Sequence, residues 1–228
     1  MYKRQIFLNA VVSQQHAPEK LPAAVRAALG KPLRRAATLT QLALVGALAC
    51  LPKERHHLPT ALLWQSTSGP RLETLSLLEE ICHGSAEPMP YDFLATQPAI
   101  AAAQIQPFLP GLQSATHFPL DSEGEANWSL LLTLASNWLN EGRYAQVLCA
   151  HLNSWAESAD GHWLALATAP LENAPANLHI RTMNYTDALP DTPDFPAALA
   201  RWLAQPANRL LHLQSSATPR LAVEFAQI

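Results

Sequence analysis

Charged residues are scarce in this sequence. Only 14% of the 228 residues are charged, and the net charge at pH 7 is −3. The exterior of a small domain commonly carries about 25–35% charged residues. The composition therefore predicts an apolar surface that is buried against a partner. A slightly acidic chain also lacks the basic footprint of a nucleic-acid-binding protein.

Cysteines and long hydrophobic runs are also few. The three cysteines, Cys50, Cys82 and Cys149, are odd in number and have no CxxC spacing, which argues against a disulfide framework. The longest apolar stretch, residues 42–51, is shorter than the roughly 20 residues that span a bilayer. The first residues lead into a strand-like run rather than a signal peptide. These features predict a cytoplasmic protein without a membrane span.

Familiar catalytic and ligand-binding motifs are missing. There is no GxSxG elbow of an α/β-hydrolase. The turn at residues 66–69 lacks the glycine spacing and the lysine of a phosphate loop. The pairs His56–His57 and Cys82–His83 have no further ligands at metal-binding spacing. The sequence therefore predicts neither a cofactor nor a metal site.

The basic residues are unevenly distributed. Ten of the fifteen lie in residues 1–71, where the only acids are Glu19 and Glu54. This basic third is compatible with docking an acidic protein or a phosphate, and equally with an ordinary solvated face.

Hydrophobic patterns predict alternating strands and helices. Before residue 156, strands are predicted at 5–12, 60–65, 111–118 and 145–151, and helices at 23–29, 33–51, 71–83, 96–108 and 126–141. Residues 88–94 are predicted to be a proline-stiffened connector. Beyond residue 160, strands are predicted at 163–169, 177–183 and 220–226, and a helix at 195–204. Such alternation favours a layered α/β domain with a mixed or parallel sheet.

The central stretch, residues 111–155, has the pattern of an active-site frame. It combines a strand, an acidic loop at residues 121–125, a long helix and a buried strand. Many enzymes place a nucleophile at the N-terminus of such a helix, where unpaired N–H groups and the dipole favour an anion. This loop contains carboxylates and no cysteine.

Four segments, in this order, resemble the N-terminal half of a β-ketoacyl synthase, an enzyme of the thiolase fold. The segments are Leu62–Pro70, Glu87–Ile105, Gly111–Phe118 and Ala126–Ala150. The resemblance implies a single ketosynthase-like α/β domain over residues 1–228. Residues 1–155 match the N-terminal βαβαβ half, and residues 156–228 form a shortened completion of the sheet in place of the C-terminal half.

The chain departs from the ketosynthase pattern at the nucleophile. Counted back from Gly142, the cysteine position falls on Glu125, and counted forward from Gly111 it falls near Leu120 or Asp121. None of these side chains can form a thioester. The histidines that a ketosynthase contributes from its C-terminal half are missing with that half. Condensation by this chain alone is therefore excluded on chemical grounds.

A ketosynthase relative without its cysteine resembles a chain length factor, and its compact length resembles the kind found in aryl polyene pathways. This resemblance implies a heterodimer or heterotetramer with an active ketosynthase that supplies the catalytic residues. An acyl carrier protein would then be an indirect partner. The helix of residues 96–108 would help to form the far end of the acyl tunnel. The tunnel and interface residues expected there are Thr96, Gln97, Ile100, Ala101, Gln104, Ile105 and Phe108.

Two alternatives remain open. One is a scaffold or interaction protein that retains a degenerate thiolase frame but forms no tunnel. The other is a weak hydrolase that uses Asp121, Glu123 or Glu125 together with His117. Acids at these positions also suit a purely structural role, because they stabilise the first turn of a helix, and Glu125 could fill the empty nucleophile position with hydrogen bonds.

Overall fold

The computed structural model describes residues 4–85, 87–120, 125–182, 185–205, 209–215 and 220–228. Its strands are β1 (Ile6–His16), β2 (Thr60–Ser66), β3 (Leu112–Pro119), β4 (Gln146–Ser154), β5 (Ala159–Ala167), β6 (Ala176–Arg181), β7 (Leu210–Gln214) and β8 (Ala222–Gln227). Its α-helices are α1 (Leu21–Leu29), α2 (Thr38–Cys50), α3 (Arg71–His83), α4 (Pro90–Ala95), α5 (Ile100–Ile105), α6 (Trp128–Asn140) and α7 (Phe195–Leu203).

All eight strands belong to one mixed sheet with the order β3-β2-β4-β5-β1-β6-β8-β7. Strand β2 runs parallel to β3 and to β4, and every other neighbouring pair is antiparallel. Strands β2 and β4 are buried over almost their whole length. Their near-continuous apolar runs follow from helices covering both faces of the sheet. The layered α/β class with a mixed sheet is confirmed.

Two hydrophobic cores lie on opposite faces of the sheet. Helices α6 and α7 cover one face, where Trp128, Leu132 and Leu199 are fully buried. Helices α1, α2 and α5 cover the other face. There α2 approaches β5 so closely that a Cβ on Gly46 would overlap the indole of Trp163. The close packing therefore requires a glycine at position 46. Glycine in the middle of a helix normally destabilises the helix, because of its conformational freedom in the unfolded chain.

Helix positions between β2 and β3 differ from the predictions. Residues 88–94, predicted as a connector, include the helix α4. Pro90 occupies its first turn, where proline is tolerated, and Asp92 accepts a hydrogen bond from the Met89 amide at 3.1 Å. The predicted helix of residues 96–108 contracts to α5, so Thr96, Gln97 and Phe108 lie outside it.

Other predicted boundaries also change, and one strand was not predicted. Helix α2 begins at Thr38 instead of residue 33. Strand β7 was missed, because its five residues carry no distinct alternation. The strand predicted at 177–183 spans Ala176–Arg181, and Met183 lies outside the described residues. Strands β6, β7 and β8 extend the same sheet beyond β1.

Candidate functional site

The carboxyl ends of the parallel strands meet the N-terminus of α6. Such ends form a ligand-binding crevice in many α/β proteins, because the loops that follow the strands diverge there. The Asn127 amide, at the N-cap of α6, donates to Oε1 of the buried Gln65 on β2 at 2.7 Å.

A carboxylate from a distant loop occupies the N-terminus of α6. Oδ1 of Asp191 accepts from the Trp128 amide at 2.9 Å, and Oδ2 accepts from the Ser129 amide at 2.9 Å and the Ser129 hydroxyl at 2.6 Å. Asp191 is 5% exposed. Burial raises the pKa of Asp191, while the hydrogen bonds from Ser129 and Trp128 act in the opposite direction.

Backbone contacts of the Asp191 loop complete this closure. The Ala126 amide donates to the Asp191 carbonyl at 3.1 Å. The indole N–H of Trp128 donates to the Pro193 carbonyl at 3.3 Å. Together with Gln65, the loop pairs the amides of residues 126–129, which are the groups that would otherwise bind an anionic ligand. The helix terminus is therefore occupied by the protein itself.

A row of polar side chains crosses the sheet beneath this terminus. Gln65, His151, His162 and Ser13 are register partners on β2, β4, β5 and β1. Ser13 Oγ lies 2.7 Å from His162 Nδ1. Burial lowers the pKa of His162, and Asp160 and Asp194 act in the opposite direction. Among the ion pairs of the described residues, none joins His162 to a carboxylate, so the Ser13–His162 pair lacks the third member of a triad.

Asn153 fixes the orientation of His151. Oδ1 of Asn153 accepts from the amides of Thr67 and Ser68 at 3.0 and 3.2 Å, so its Nδ2 must be the donor to His151 Nε2 at 2.9 Å. His151 consequently carries its proton on Nδ1, which is buried without a partner. Burial lowers the pKa of His151 to about 4, and His162 adds to the shift. The His151 side chain is therefore neutral at pH 7.

No described cysteine is placed to act as a nucleophile at α6. Cys149 lies inside β4, and burial raises the pKa of its thiol far above the ordinary value. Cys50 is buried in α2 and is affected in the same way. Cys82 is exposed, but it lies on α3. A reactive thiol must be accessible and readily ionised, and the two buried thiols are neither.

The structure describes only some of the positions that the sequence suggested for the missing nucleophile. Asp121 and Glu123 lie outside the described residues. Leu120 follows the end of β3, and its amide donates to the Ser66 carbonyl at 3.0 Å. Glu125 is exposed and stands two residues before the N-cap of α6. Among the described residues, the side chains of Asp191 and Gln65 accept hydrogen bonds from the amides at this terminus.

His117, the base of the hydrolase alternative, faces the opposite side of the sheet. Its ring lies against Trp64, with 4.3 Å between the ring centroids, and Trp64 belongs to the core beneath α2. Burial lowers the pKa of His117 to about 4. The sheet separates this histidine from Glu125 and the start of α6, which disfavours their action as a pair.

The predicted tunnel residues divide into two groups. Ala101 and Ile105 are fully buried in this chain's own core. The others are at least partly accessible: Thr96, Gln97, Ile100, Gln104 and Phe108. Gln104 donates to the Arg35 carbonyl at 3.0 Å, and Lys31 lies 4.9 Å from the centroid of the Phe108 ring. The role of these residues stays a prediction.

Sequence reasoning missed Asp191, Gln65 and Asn153. Asp191 lies 62 and 63 positions from its partners Ser129 and Trp128. It falls among prolines that the sequence pattern assigned to loops, and no local signal distinguishes it from a surface residue. Gln65 ends an apolar run, and a buried glutamine at the end of a strand was the only available hint.

The mixed sheet with helices on both faces is the layered α/β arrangement of the thiolase fold. Comparison with solved structures confirms this fold. A chain of the ketosynthase in complex with its chain length factor from Xenorhabdus doucetiae matches with a TM-score of 0.58 at 14% identity, over 96% of this chain and 99% of that chain.

Other similar structures belong to the same group. The ishigamide ketosynthase/chain length factor matches with a TM-score of 0.65 at 13% identity, over 98% of this chain and 99% of that chain. A type II polyketide synthase ketosynthase in complex with its acyl-carrier protein matches with a TM-score of 0.58 at 10% identity, over the whole of both chains. At these identities the likeness establishes the fold. No family model matches the sequence, and no curated protein matches it significantly.

Proposed function

We propose that this chain is a non-catalytic chain length factor. It pairs with an active ketosynthase and shapes the acyl tunnel of that enzyme in polyene biosynthesis of the aryl polyene type. The ketosynthase supplies the nucleophile and bases, and an acyl carrier protein reaches the complex through it. We place this complex in the cytoplasm, as acyl-carrier-dependent synthesis implies.

The Asp191 closure of α6 carries the proposal. A condensing enzyme needs an accessible thiolate at this helix terminus and N–H groups free to stabilise a developing oxyanion. Here the chain's own carboxylate and amide oxygens accept from the amides of residues 126–129. A negative charge already at this terminus would also repel a thiolate or an enolate. On this proposal the chain keeps the ketosynthase-like fold, while its own side chains cover the N-terminus of α6 where the nucleophile would stand.

The surface supports a partner. Strand β3 is at the edge of the sheet and pairs with β2 on one side only. An edge strand offers unpaired backbone groups to a second chain. Only 14% of the residues are charged, so few charged side chains are available to solvate an exposed edge strand. The segment Thr96–Phe108 adjoins this edge, because α5 packs on β3.

The tunnel role then falls to the accessible members of that segment. Thr96, Gln97, Ile100, Gln104 and Phe108 would meet the partner or the acyl chain, while Ala101 and Ile105 support them from inside the core. A buried tunnel wall acts by excluding volume, so the size of these side chains would set how far the chain can grow.

Co-expression with any ketosynthase found to be encoded beside this chain tests the proposal. An affinity tag on this chain should recover the ketosynthase in a stable complex of defined mass. The complex should extend acyl carrier-bound chains, and this chain alone should not. The matched control is an unrelated homodimeric ketosynthase under the same conditions, which should not be recovered.

Two results would contradict the proposal. One is a chain that purifies alone as a monodisperse monomer and ignores the neighbouring ketosynthase, as the scaffold alternative predicts. The other is thioester turnover by this chain alone that is lost in Glu125→Gln, as the hydrolase alternative predicts.

A further inference from the structure

Helix α3 lies on the surface with an unusual burial pattern. Only Leu77 of its thirteen residues is buried. Leu75, Leu78 and Ile81 are 52%, 50% and 51% exposed, and Cys82 is exposed too. A surface helix normally turns its large apolar side chains towards the core. The outward apolar face of α3 is therefore available to another helix.

The spacing on this face is that of a helix pair. Arg71, Leu75, Leu78 and Cys82 are separated by four, three and four residues. Alternating spacings of four and three residues place these side chains in one line along the helix. Such a line can stay in contact with a second helix that packs alongside. Ile81 lies beside the stripe, one turn after Leu78. We call the four residues Arg71, Leu75, Leu78 and Cys82 the α3 stripe.

The charges on α3 favour an antiparallel copy of the same helix as its partner. Arg71 stands at the N-terminal end of the stripe, and Glu79 flanks its C-terminal end. Among the described residues, neither takes part in an ion pair within the chain. An antiparallel copy of α3 would bring Arg71 of each helix to the end that carries Glu79 of the other. Antiparallel helix dipoles also attract each other.

We propose that a second copy of this chain docks on the α3 stripe, with the two helices antiparallel. In this pair Leu75 lies opposite the second copy's Leu78 around the two-fold axis, and Arg71 lies opposite the second copy's Cys82. A self-complementary stripe is what a two-fold interface requires. The contact goes beyond the proposed function, since it joins two copies of this chain whether or not each binds a ketosynthase.

Disulfide trapping tests the contact in the full chain, alone and with its ketosynthase. Arg71→Cys, combined with the native Cys82, should form a covalent dimer under mild oxidation, because the two positions face each other across the pair. Adding Cys82→Ser should abolish the covalent dimer. Arg201→Cys, an exposed position on α7, is the matched control and should remain uncrosslinked. No covalent dimer in Arg71→Cys would overturn the proposal.

A disruption experiment separates this contact from ketosynthase binding. Leu75→Glu with Leu78→Glu should halve the mass of the assembly in light scattering while the ketosynthase stays bound. Both side chains are half exposed, so the melting temperature of the chain should be little changed. Loss of the ketosynthase would assign α3 to the heterodimer interface and overturn the proposal. Crosslinking of unmodified chains through Cys82 alone would indicate a parallel pair and would also overturn it.

Discussion

At the residue scale, Asp191 links two distant parts of the chain. Its carboxylate accepts three hydrogen bonds from Trp128 and Ser129, and its backbone carbonyl accepts a fourth from Ala126. A capping carboxylate of this kind both satisfies unpaired amides and complements the helix dipole. The loop that carries it is held at the helix terminus, which defines the shape of the crevice.

Removing the Asp191 carboxylate should destabilise the fold. We expect Asp191→Ala to lower the free energy of unfolding by about 2 kcal/mol, because two buried amides and a hydroxyl lose their acceptor. Urea unfolding measures the change. Asp187→Ala, four residues away and exposed, is the control and should change little. Equal stabilities of the two variants would show that the cap contributes nothing.

His151 should make the fold sensitive to acid. Its folded pKa is lowered to about 4, below the ordinary value of 6.5, so between these pH values the unfolded chain binds a proton that the folded chain does not. Stability is therefore full above pH 6.5 and decreases as pH falls towards 4. At pH 5 the loss due to His151 should be about 2 kcal/mol.

Urea unfolding at pH 7.5 and pH 5 measures this effect. His151→Gln should reduce the loss of stability between the two pH values by about 2 kcal/mol, because glutamine retains an acceptor for Asn153 but does not titrate. His117, whose pKa is also lowered to about 4, should account for acid sensitivity that remains. A His151→Gln variant as acid-sensitive as the parent would contradict the assignment.

At the element scale, the close contact of α2 with β5 determines how the helix sits on the sheet. Gly46 lets the helix rest directly on the Trp163 indole, and both are buried. Interiors are packed tightly enough that even one added methyl must be accommodated by movement.

We expect Gly46→Ala to destabilise the chain by about 3 kcal/mol despite the better helix propensity of alanine, because its Cβ overlaps the indole. Chemical denaturation measures this change. The double variant Gly46→Ala with Trp163→Leu should lose less than the sum of the two single variants, since the smaller side chain leaves room for the methyl. If the losses in stability of the two single variants simply add in the double variant, the overlap is accommodated by movement of groups other than Trp163.

At the scale of the whole molecule, the chain has an α/β frame in which Asp191 closes the N-terminus of α6. The edge strand β3 and the apolar face of α3 are open. The fold is that of ketosynthase and chain length factor structures. The proposed function lies at contacts with other chains, where side-chain volume and surface complementarity matter more than reactivity.

The tunnel proposal belongs to this scale. In the complex with the ketosynthase, Gln97→Trp should shift the products to shorter chains, because added volume at an exposed position of the tunnel segment closes the cavity earlier. The complex should stay intact. Mass spectrometry of the acyl carrier-bound products measures the lengths. Gln106→Trp, also exposed but outside the predicted tunnel set, is the matched control. An identical product profile for both variants would contradict the tunnel assignment.

Much of the fold could be predicted from local sequence. Strands β2 and β4 are continuous apolar runs, because both of their faces are buried. Helix α6 ends at Asn140, and Gly142, which has a positive φ, follows two residues later. Helix α4 was missed because its prolines suggested a connector, although Pro90 occupies a helical first turn. Strand β7 was missed because its pairing with β8 arises only in the assembled sheet.

The sequence by itself determined the layered α/β class, the resemblance to a ketosynthase frame and the missing cysteine, because all three depend on residue types and short-range spacing. Only the tertiary structure decided what occupies the N-terminus of α6. Asp191 reaches the start of α6 across more than sixty residues, and Ala101 turns into the chain's own core while Gln97 remains accessible. These outcomes depend on how the sheet and its loops pack together, which local propensities do not encode.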